Sequence, residues 1–330
     1  MRVFGRVVST LLTLCVSSPV FAQQAGPTAV IWHDRGDSAA LDLIGGPGGK
    51  DHEPGKDLRF IAESQGGTSP KFEVEDEHGA KWKVKLGEEA KSETAATRLL
   101  WAAGYVVDED YYRSEIRVGG LTRLTRGQEF VSPGGIVTGA RLERDEGSDG
   151  SKTWSWYDNP FIGTREFNGL RVMMALINNW DLKDVNNRAS VTSSGGGQYG
   201  ISDLGATFGR TGNTIARSKG VSKDYADTRF IKKVTPTRVD FVMRSRPFFP
   251  FVFHLPSYRS RTRMQSVVKG IPIADARWIG DRLGRLSREQ IRDCFRASGF
   301  SADEVETYTQ VVVDRIQLLK NLNPQLSRDF

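Results

Sequence analysis

The feature that most constrains the fold is a change in hydrophobic period between a group of strand-like runs and the helix that follows them. Apolar and polar residues alternate in three runs, 58–64, 70–76 and 81–87. Such alternation is typical of half-buried strands, and the polar turns QGGTS and EHGA between the runs indicate an antiparallel meander. The next stretch, 93–104, has helical spacing, with Ser92 as its predicted N-cap. The sequence therefore predicts a small sheet that carries one helix.

Two further strand-like runs, at 111–118 and 121–125, extend this sheet, so a sheet-rich lobe is predicted to span 58–160. It is preceded by a Gly- and Pro-rich extension at 23–57. Within that extension the run GGPGGKD, at 45–51, places Lys50 directly after a glycine-rich stretch, as a phosphate-binding loop does. Ile44 stands where that motif has its first Gly, and Asp51 stands where it has Ser or Thr, so a flexible turn is the prediction.

The remainder, 161–330, is predicted to be a helical lobe. It opens with a long helix over 164–180 whose apolar residues recur at three- and four-residue steps. Two short strands are expected within 188–204, and the capping boxes SREQ and SADE each begin a later helix. The fold class is therefore α+β with two lobes, a small antiparallel sheet lobe with one helix and a larger helical lobe.

The first 22 residues have the pattern of a secretory signal peptide. Arg2 and Arg6 form a positively charged start, an apolar centre follows, and a small-residue cleavage site ends at Ala22. The chain is thus expected to be exported through the Sec pathway to the periplasm or the medium. The mature chain would keep one cysteine, Cys294, and would contain no transmembrane segment.

The stretch NNWDLKDVNN and the later YGISDLGATFG offer the groups that phosphoryl transfer needs. That reaction depends on a metal ion held by oxygen ligands, a cation at the phosphates and a carboxylate near the attacking hydroxyl. Asp181 could orient or deprotonate the hydroxyl, and Lys183 could neutralise the transferring phosphate. Asn186 and Asp203 could hold the metal. The same residues are also typical of polar turns, in which Asp and Asn side chains bond their own backbone.

These two motifs resemble the protein-kinase-like superfamily. DLKDVN, at 181–186, matches its catalytic-loop pattern, and DLG, at 203–205, matches its metal-binding motif. The preceding elements occur in the matching order: a strand, a glycine-containing turn, a strand, a strand with a lysine and a helix with a glutamate. The resemblance covers about 58–322 and implies a two-lobed protein-kinase-like fold that uses ATP or another nucleotide with Mg²⁺ or Mn²⁺.

The resemblance also implies roles in nucleotide binding for four residues of the sheet lobe. Lys85 would anchor the phosphates, and Glu93 would be its helical partner. Gly66 and Gly67 would lie in the loop over the phosphates.

Several departures from the common protein-kinase pattern indicate a divergent, exported bacterial member. Asn179 and Trp180 replace the usual His-Arg, and only eight residues separate Lys85 from Glu93. Lys83 stands where a small adenine-contacting residue is expected. The similarity is therefore to HipA-like toxin kinases, phosphatidylinositol-kinase-like proteins or secreted CotH-like kinases.

Positive charge is concentrated in a basic segment, 206–263, which has thirteen Lys and Arg against three Asp in a chain whose net charge is +6. An acidic protein, a phosphorylated sugar or an anionic lipid headgroup could dock there as the acceptor, and a solvated charged loop is the alternative. The segment includes the aromatic run RPFFPFVFHLP, at 246–256, for which burial is predicted over contact with a membrane surface. No nucleic-acid partner is predicted.

Other chemistries fit the sequence poorly. The four histidines are scattered, and neither a zinc motif nor a serine-hydrolase elbow is present. The first functional hypothesis is an exported kinase-like phosphotransferase that acts on an unknown hydroxyl acceptor. The alternative is a catalytically inactive pseudokinase that serves as an exported binding module.

Overall fold

The computed structural model describes residues 29–145, 147, 152–191, 196–212, 216–244 and 255–323. The predicted signal peptide, most of the predicted hairpin near 145–151 and most of the aromatic run at 246–256 lie outside these residues. Within the described part, no helix is both long and apolar enough to cross a membrane.

Strands dominate the first half of the described chain and helices the second. The strands are β1 (Ala29–Val30), β2 (Leu58–Ser64), β3 (Lys71–Glu75), β4 (Lys81–Lys85), β5 (Val106–Val107), β6 (Asp110–Gly119), β7 (Val131–Ser132), β8 (Ile136–Arg144), β9 (Asn187–Val191), β10 (Gly197–Ile201), β11 (Ile231–Val234), β12 (Arg238–Phe241) and β13 (Ile271–Pro272). The helices are α1 (Glu88–Ala102), α2 (Arg165–Leu176), α3 (Ser222–Ala226), α4 (Leu255–Met264), α5 (Ile273–Leu283), α6 (Arg288–Arg296) and α7 (Ala302–Lys320). The predicted α+β class, with a sheet lobe and a helical lobe, is confirmed.

The sheet lobe is a curled sheet that closes on itself. Its strands follow the order β4-β3-β2-β6-β8, and β4 also pairs with β8. These pairings are antiparallel except for a two-residue parallel contact between β2 and β6. Alternate residues of β3 and β4, among them Phe72, Trp82 and Val84, fill the inside of the closed sheet. The residues between them point to the outer face, which α1 and the cleft between the lobes cover.

Helix α1 begins directly after β4, so the predicted N-cap at Ser92 is wrong. The cap position is Gly87, whose φ of 86° turns the chain from strand to helix without a side-chain cap. Glu88 and Glu89 in the first turn favour this early start because they complement the helix dipole. Ser92 therefore lies inside the helix, in which eleven of the fifteen residues are buried.

Two other predicted elements are corrected by the structure. The stretch 121–125 is a loop and not a strand. Helix α2 starts after the Thr164 cap but ends at Leu176, short of the predicted 180, because Asn178 has a left-handed φ of 55° that no helix continues through. The apolar residues predicted to form its core face are all buried: Leu170, Met173, Met174, Ile177 and Trp180.

In the helical lobe, α2, α5, α6 and α7 pack around one core. Both predicted capping boxes are present, with Ser287 opening α6 and Ser301 opening α7. The predicted pair of short strands is confirmed as the antiparallel hairpin of β9 and β10. β1 and β5 add to β10 in parallel, so the hairpin contacts both the N-terminal extension and the segment between α1 and β6.

The described part of the N-terminal extension packs against both lobes. The carbonyl of Ile44 accepts hydrogen bonds from Arg98 of α1, and that of Gly49 accepts one from the Tyr111 hydroxyl. The Gln290 amide of α6 donates to the carbonyls of Ser38 and Leu41. The predicted turn at 45–51 is present, and it is closely packed.

Candidate active site

A buried ion cluster lies where α1 faces the end of β4. The Lys85 ammonium is 2.5 Å from a carboxylate oxygen of Glu93 and 3.3 Å from one of Asp203, and its side chain is only 3% exposed. The gap of eight residues between Lys85 and Glu93 suffices because α1 starts without an intervening loop. The structure therefore brings together these three residues, which the sequence places far apart or in an unusual spacing.

The charges of this cluster stabilise one another. Burial disfavours the charged form of Lys85, but Glu93, Asp203 and Glu89 outweigh that effect and raise the pKa of Lys85. Burial raises the pKa of Glu93, and the flanking cations Arg141 and Lys85 oppose the rise. Burial likewise disfavours ionised Asp203, yet Lys85, Lys71 and the Gly205 N–H hold its pKa below the usual value. Asp203 is thus an ionised carboxylate at neutral pH.

The DLG segment is held against α1 from two sides. The Ser92 hydroxyl donates to the carbonyl of Gly205 at 2.8 Å, and the backbone N–H of Leu204 donates to Glu93 at 3.4 Å. The Gly205 N–H in turn reaches Asp203 at 3.3 Å. The position of the Asp203 carboxylate is therefore set by α1 as well as by the end of β10.

The loop that follows α2 presents Asp181. Its backbone N–H is capped by the Asn179 side chain at 3.0 Å, and Lys183 pairs with its Oδ2 atom at 2.7 Å. Oδ1 of Asp181 is buried and has no hydrogen-bond partner among the described residues. The Asn186 amide nitrogen donates to the Asp181 carbonyl at 2.7 Å. One carboxylate oxygen of Asp181 therefore lacks a hydrogen-bond partner among the described residues.

Two left-handed residues brace this loop against the segment after DLG. Asn178 has a φ of 55° and Phe208 a φ of 52°. The Asn178 side chain donates to the Gly209 carbonyl at 2.7 Å, and the Phe208 N–H donates to the Ile177 carbonyl at 2.8 Å. Left-handed conformations are costly for residues other than glycine and persist where surrounding contacts enforce them. The Asp181 loop and the DLG segment are thus fixed relative to each other.

Asn186 and Asp203 line one cavity of about 230 Å³ between the lobes, together with Lys85. The Ser202 N–H donates to the Asn186 carbonyl at 2.9 Å, which holds the two polar ends of the hairpin side by side. The Asn186 amide nitrogen already faces Asp181, so its oxygen is directed elsewhere. An ionised carboxylate and an amide oxygen are ligands that suit Mg²⁺ or Mn²⁺ when substrate phosphates complete the shell. The donor set therefore fits a divalent cation.

The glycine loop between β2 and β3 lies beside the cavity. Gly66 and Gly67 lie between β2 and β3, and neither lines the cavity. Their carbonyls accept hydrogen bonds from Arg126, at 3.5 Å and 2.9 Å. Gly67 has a φ of 74°, and a Cβ added there would lie 3.6 Å from the Lys71 ammonium. The loop therefore borders the site through Lys71.

Lys71 and Glu89 are among the residues of the ion cluster and cavity wall that were not predicted from the sequence. Lys71, the first residue of β3, lines the cavity directly opposite Lys85 in the strand register. Glu89 lies 3.6 Å from Lys85 and accepts hydrogen bonds from Ser69 at 2.7 Å and from Lys219 at 2.8 Å. Period-two alternation could have placed Lys71 on the face of Lys85, but only if the register of β3 with β4 had been known.

Arg210 and Lys223 of the basic segment form ion pairs with Asp224 and Asp227 of the same segment, whereas Arg217 faces the Asp181 loop. Its guanidinium carbon lies 4.0 Å from the centre of the Trp180 ring, and its Nη1 atom is buried with no hydrogen-bond partner among the described residues. Burial and the neighbouring Arg261 lower the pKa of Arg217, and Asp181 opposes that change. A cation is thus placed next to the carboxylate that the sequence assigns to the acceptor hydroxyl.

No protein-family model matches the chain, and no curated protein matches its sequence. Among solved structures it is similar to the Helicobacter pylori proinflammatory kinase CtkA, with 12% identity and a TM-score of 0.45 over 84% of this chain and 97% of that one. It is also similar to the Golgi casein kinase with Mn/ADP bound, with 10% identity and a TM-score of 0.38 over 81% of this chain and 73% of that one. The activity of this chain therefore has to be inferred from its own residues.

Proposed function

We propose that this chain is a phosphotransferase that moves a phosphoryl group from a metal-bound nucleotide to a hydroxyl acceptor. The observation that carries the proposal is the convergence of Lys85, Asn186 and Asp203 on one cavity between the lobes. These residues come from three separate elements, and packing of a structural core does not require them to meet. Phosphoryl transfer depends mainly on positioning and charge stabilisation, which such a cluster supplies.

Each residue has one role in this proposal. Asn186 and Asp203 hold Mg²⁺ or Mn²⁺, which neutralises charge on the phosphates when it is bound. Lys85, positioned by Glu93, donates to the phosphate oxygens. Asp181 orients the acceptor hydroxyl through Oδ1, which has no hydrogen-bond partner within the described part of the chain, and accepts its proton. Lys183 stabilises the charge on the group in transfer.

The acceptor is proposed to be anionic. Arg217 has a buried Nη1 atom next to the Asp181 loop that no described residue bonds, and a phosphate or carboxylate of the acceptor could be bound there. An acidic protein, a phosphorylated sugar and an anionic lipid headgroup remain the three acceptor classes to compare. Export of the chain, carried by the signal-like residues 1–22, is part of the same proposal.

The second candidate function is a pseudokinase that binds without transfer. It is favoured by the Lys183 ammonium, which pairs with Asp181 at 2.7 Å and thus competes with the acceptor for that carboxylate. The two candidates differ in turnover and not in metal-dependent binding.

Thermal unfolding with ATP and either Mg²⁺ or Mn²⁺ tests the site. A ligand at 100 times its Kd stabilises a chain of this size by about 2.7 kcal/mol, which raises Tm by about 4 °C. The rise should require the metal and should disappear in Asp203→Asn. The control is Asp281→Asn, an exposed carboxylate on α5 that should retain the full rise. A folded protein whose Tm no nucleotide changes, with either metal, contradicts the proposal.

An assay for transfer of the labelled terminal phosphate of the nucleotide then distinguishes a phosphotransferase from a pseudokinase. Dephosphorylated casein, a sugar phosphate and vesicles with anionic lipid represent the three acceptor classes. Asp181→Asn should keep the metal-dependent rise in Tm but lower the transfer rate by about 10²–10⁴-fold. Binding without transfer to any acceptor would favour the pseudokinase.

A further inference from the structure

The cavity in which the phosphate donor would bind is lined by an unusual set of residues. The role of this lining in donor binding rests on the proposed function. The cavity that contains Asn186 and Asp203 is lined by ten residues, of which only Val84 and Val185 are apolar. Five of the six charged ones share one face of three neighbouring strands: Lys71 on β3, Lys83 and Lys85 on β4, and Arg141 and Glu143 on β8. Small-molecule pockets are usually lined mainly by apolar and aromatic side chains. This wall suits an anion better than an aromatic ring.

Lys71 supplies positive charge that the described residues leave without an ion-pair partner. It stands directly opposite Lys85 in the register of β3 and β4, so the two ammonium groups lie on the same face. Like charges at directly opposite positions destabilise a sheet. Burial and Lys85 lower the pKa of Lys71, and Asp203 and Glu93 only partly oppose them. A phosphate chain between the two lysines would remove this repulsion.

The wall further along the cleft is occupied by charged pairs. Lys83, which stands where a small adenine-contacting residue was expected, pairs with Asp145 at 2.9 Å. Arg141 pairs with Glu143 at 2.7 Å and lies 3.2 Å from Glu93. A purine ring stacked against these pairs would strip water from charges without giving them a new partner. The described wall therefore offers the base of a nucleotide little favourable contact.

We propose that the site recognises a phosphate chain with its metal and does not select the base, so that inorganic tripolyphosphate binds as tightly as ATP and serves as a donor. In the transfer, the acceptor oxygen forms a new bond to the terminal phosphorus while the bond from that phosphorus to the bridging oxygen breaks. The hydroxyl proton passes to Asp181, and pyrophosphate leaves. ATP reacts in the same way, with ADP as the leaving group.

Calorimetric titration of the purified chain, with Mn²⁺ in constant excess, tests the proposal. The probes are ATP, GTP, CTP, UTP, tripolyphosphate and adenosine. The Kd values of the five triphosphates should agree within about threefold, and adenosine should not bind. Lys71→Gln should weaken the binding of all five by about tenfold or more, because one charge-assisted contact is lost. Lys81→Gln is the control, since Lys81 is an exposed lysine at the far end of β4.

The outcomes separate this inference from the proposed function. If ATP binds tenfold more tightly than tripolyphosphate and GTP, the inference is overturned while the proposed function stands. If Lys71→Gln and Lys81→Gln behave alike, the assigned phosphate contact is wrong. If no triphosphate binds in a metal-dependent way, both the inference and the proposed function are overturned.

Discussion

Asp76 organises the turn between β3 and β4 and so helps to place the strand that carries Lys85. Its carboxylate accepts hydrogen bonds from the backbone N–H groups of His78 at 3.0 Å and Ala80 at 2.9 Å. It also accepts one from the Trp82 indole at 2.9 Å. Burial alone would raise the pKa of Asp76, but these donors hold it below the usual value. A single side chain thus joins the tight turn to the core of the sheet.

Replacing Asp76 by Ala should lower the free energy of unfolding by about 2–4 kcal/mol at pH 7, because the buried Trp82 indole N–H and partly buried backbone N–H groups lose their acceptor. The folded-state pKa lies below the unfolded value of about 3.9, so the stabilisation is present above that pH. It is lost as the pH falls through the folded-state pKa. Denaturant titrations at pH 7 and pH 3 should therefore show a large difference from wild type at pH 7 and a smaller one at pH 3. The exposed Asp51→Ala is the control, and a difference that does not depend on pH would contradict this account.

At the scale of elements, helix α1 connects the ion cluster to the DLG segment. Glu89 and Glu93 lie one turn apart and both approach Lys85, while Ser92 holds the Gly205 carbonyl at 2.8 Å. Any displacement of α1 would therefore move Lys85 and Asp203 relative to each other. In contrast, Ser301 serves only its own helix, where its hydroxyl accepts from the Glu304 N–H at the start of α7.

The pair Ser92→Ala and Ser301→Ala tests this difference with the same chemical change. Ser301→Ala should cost about 1 kcal/mol of stability as the loss of an N-cap and should leave triphosphate affinity unchanged. Ser92→Ala should change stability less, because alanine favours the helix interior. It should weaken metal-dependent triphosphate binding about fivefold by releasing the Gly205 carbonyl. Titration calorimetry together with thermal unfolding measures both effects, and equal affinities in the two variants would refute the coupling.

For the whole molecule, α1 belongs to both lobes. Its apolar residues, including Leu99 and Leu100, are part of the core of the helical lobe. Its polar residues face the sheet lobe, where Thr97 and Arg98 bond Asp110 at 3.0 Å and 3.1 Å. The N-terminal extension adds contacts to both lobes through Arg98 and Gln290. The two hydrophobic cores are therefore linked by helix α1 and by the N-terminal extension, which both contact the two lobes.

This link predicts that the two lobes unfold in one cooperative transition. Calorimetry should show a single peak of about 200 kcal/mol whose van't Hoff and calorimetric enthalpies agree. Trp82 lies in the core of the sheet lobe, and Trp154, Trp156 and Trp180 lie in the core of the helical lobe. Midpoints by fluorescence and by far-UV circular dichroism should coincide in the wild type and in Trp82→Phe. Two separated transitions would show that α1 does not couple the lobes.

The linear order of the chain was enough to predict the class of fold and a large part of the candidate site. Alternation located β2, β3 and β4, and the capping boxes at Ser287 and Ser301 located the starts of α6 and α7. These are local properties, since a strand face or a helix cap depends on residues only two to four positions apart. The spacing of Asp181, Asn186 and Asp203 predicted a loop and a hairpin end, which is where these residues lie.

What depends on strand register and helix placement was decided only by the tertiary structure. Lys71 belongs to the site because β3 pairs with β4 so that it faces Lys85, and Glu89 belongs to it because α1 starts five residues before the predicted start. Ser92 was predicted to be an N-cap because its local sequence suits one. In the structure it lies inside α1, and its hydroxyl donates to the Gly205 carbonyl of the DLG segment. Local patterns determine which residues can be strand or helix. Contacts between residues more than a hundred positions apart, such as Lys85 and Asp203, determine which of them share a cavity and therefore a chemistry.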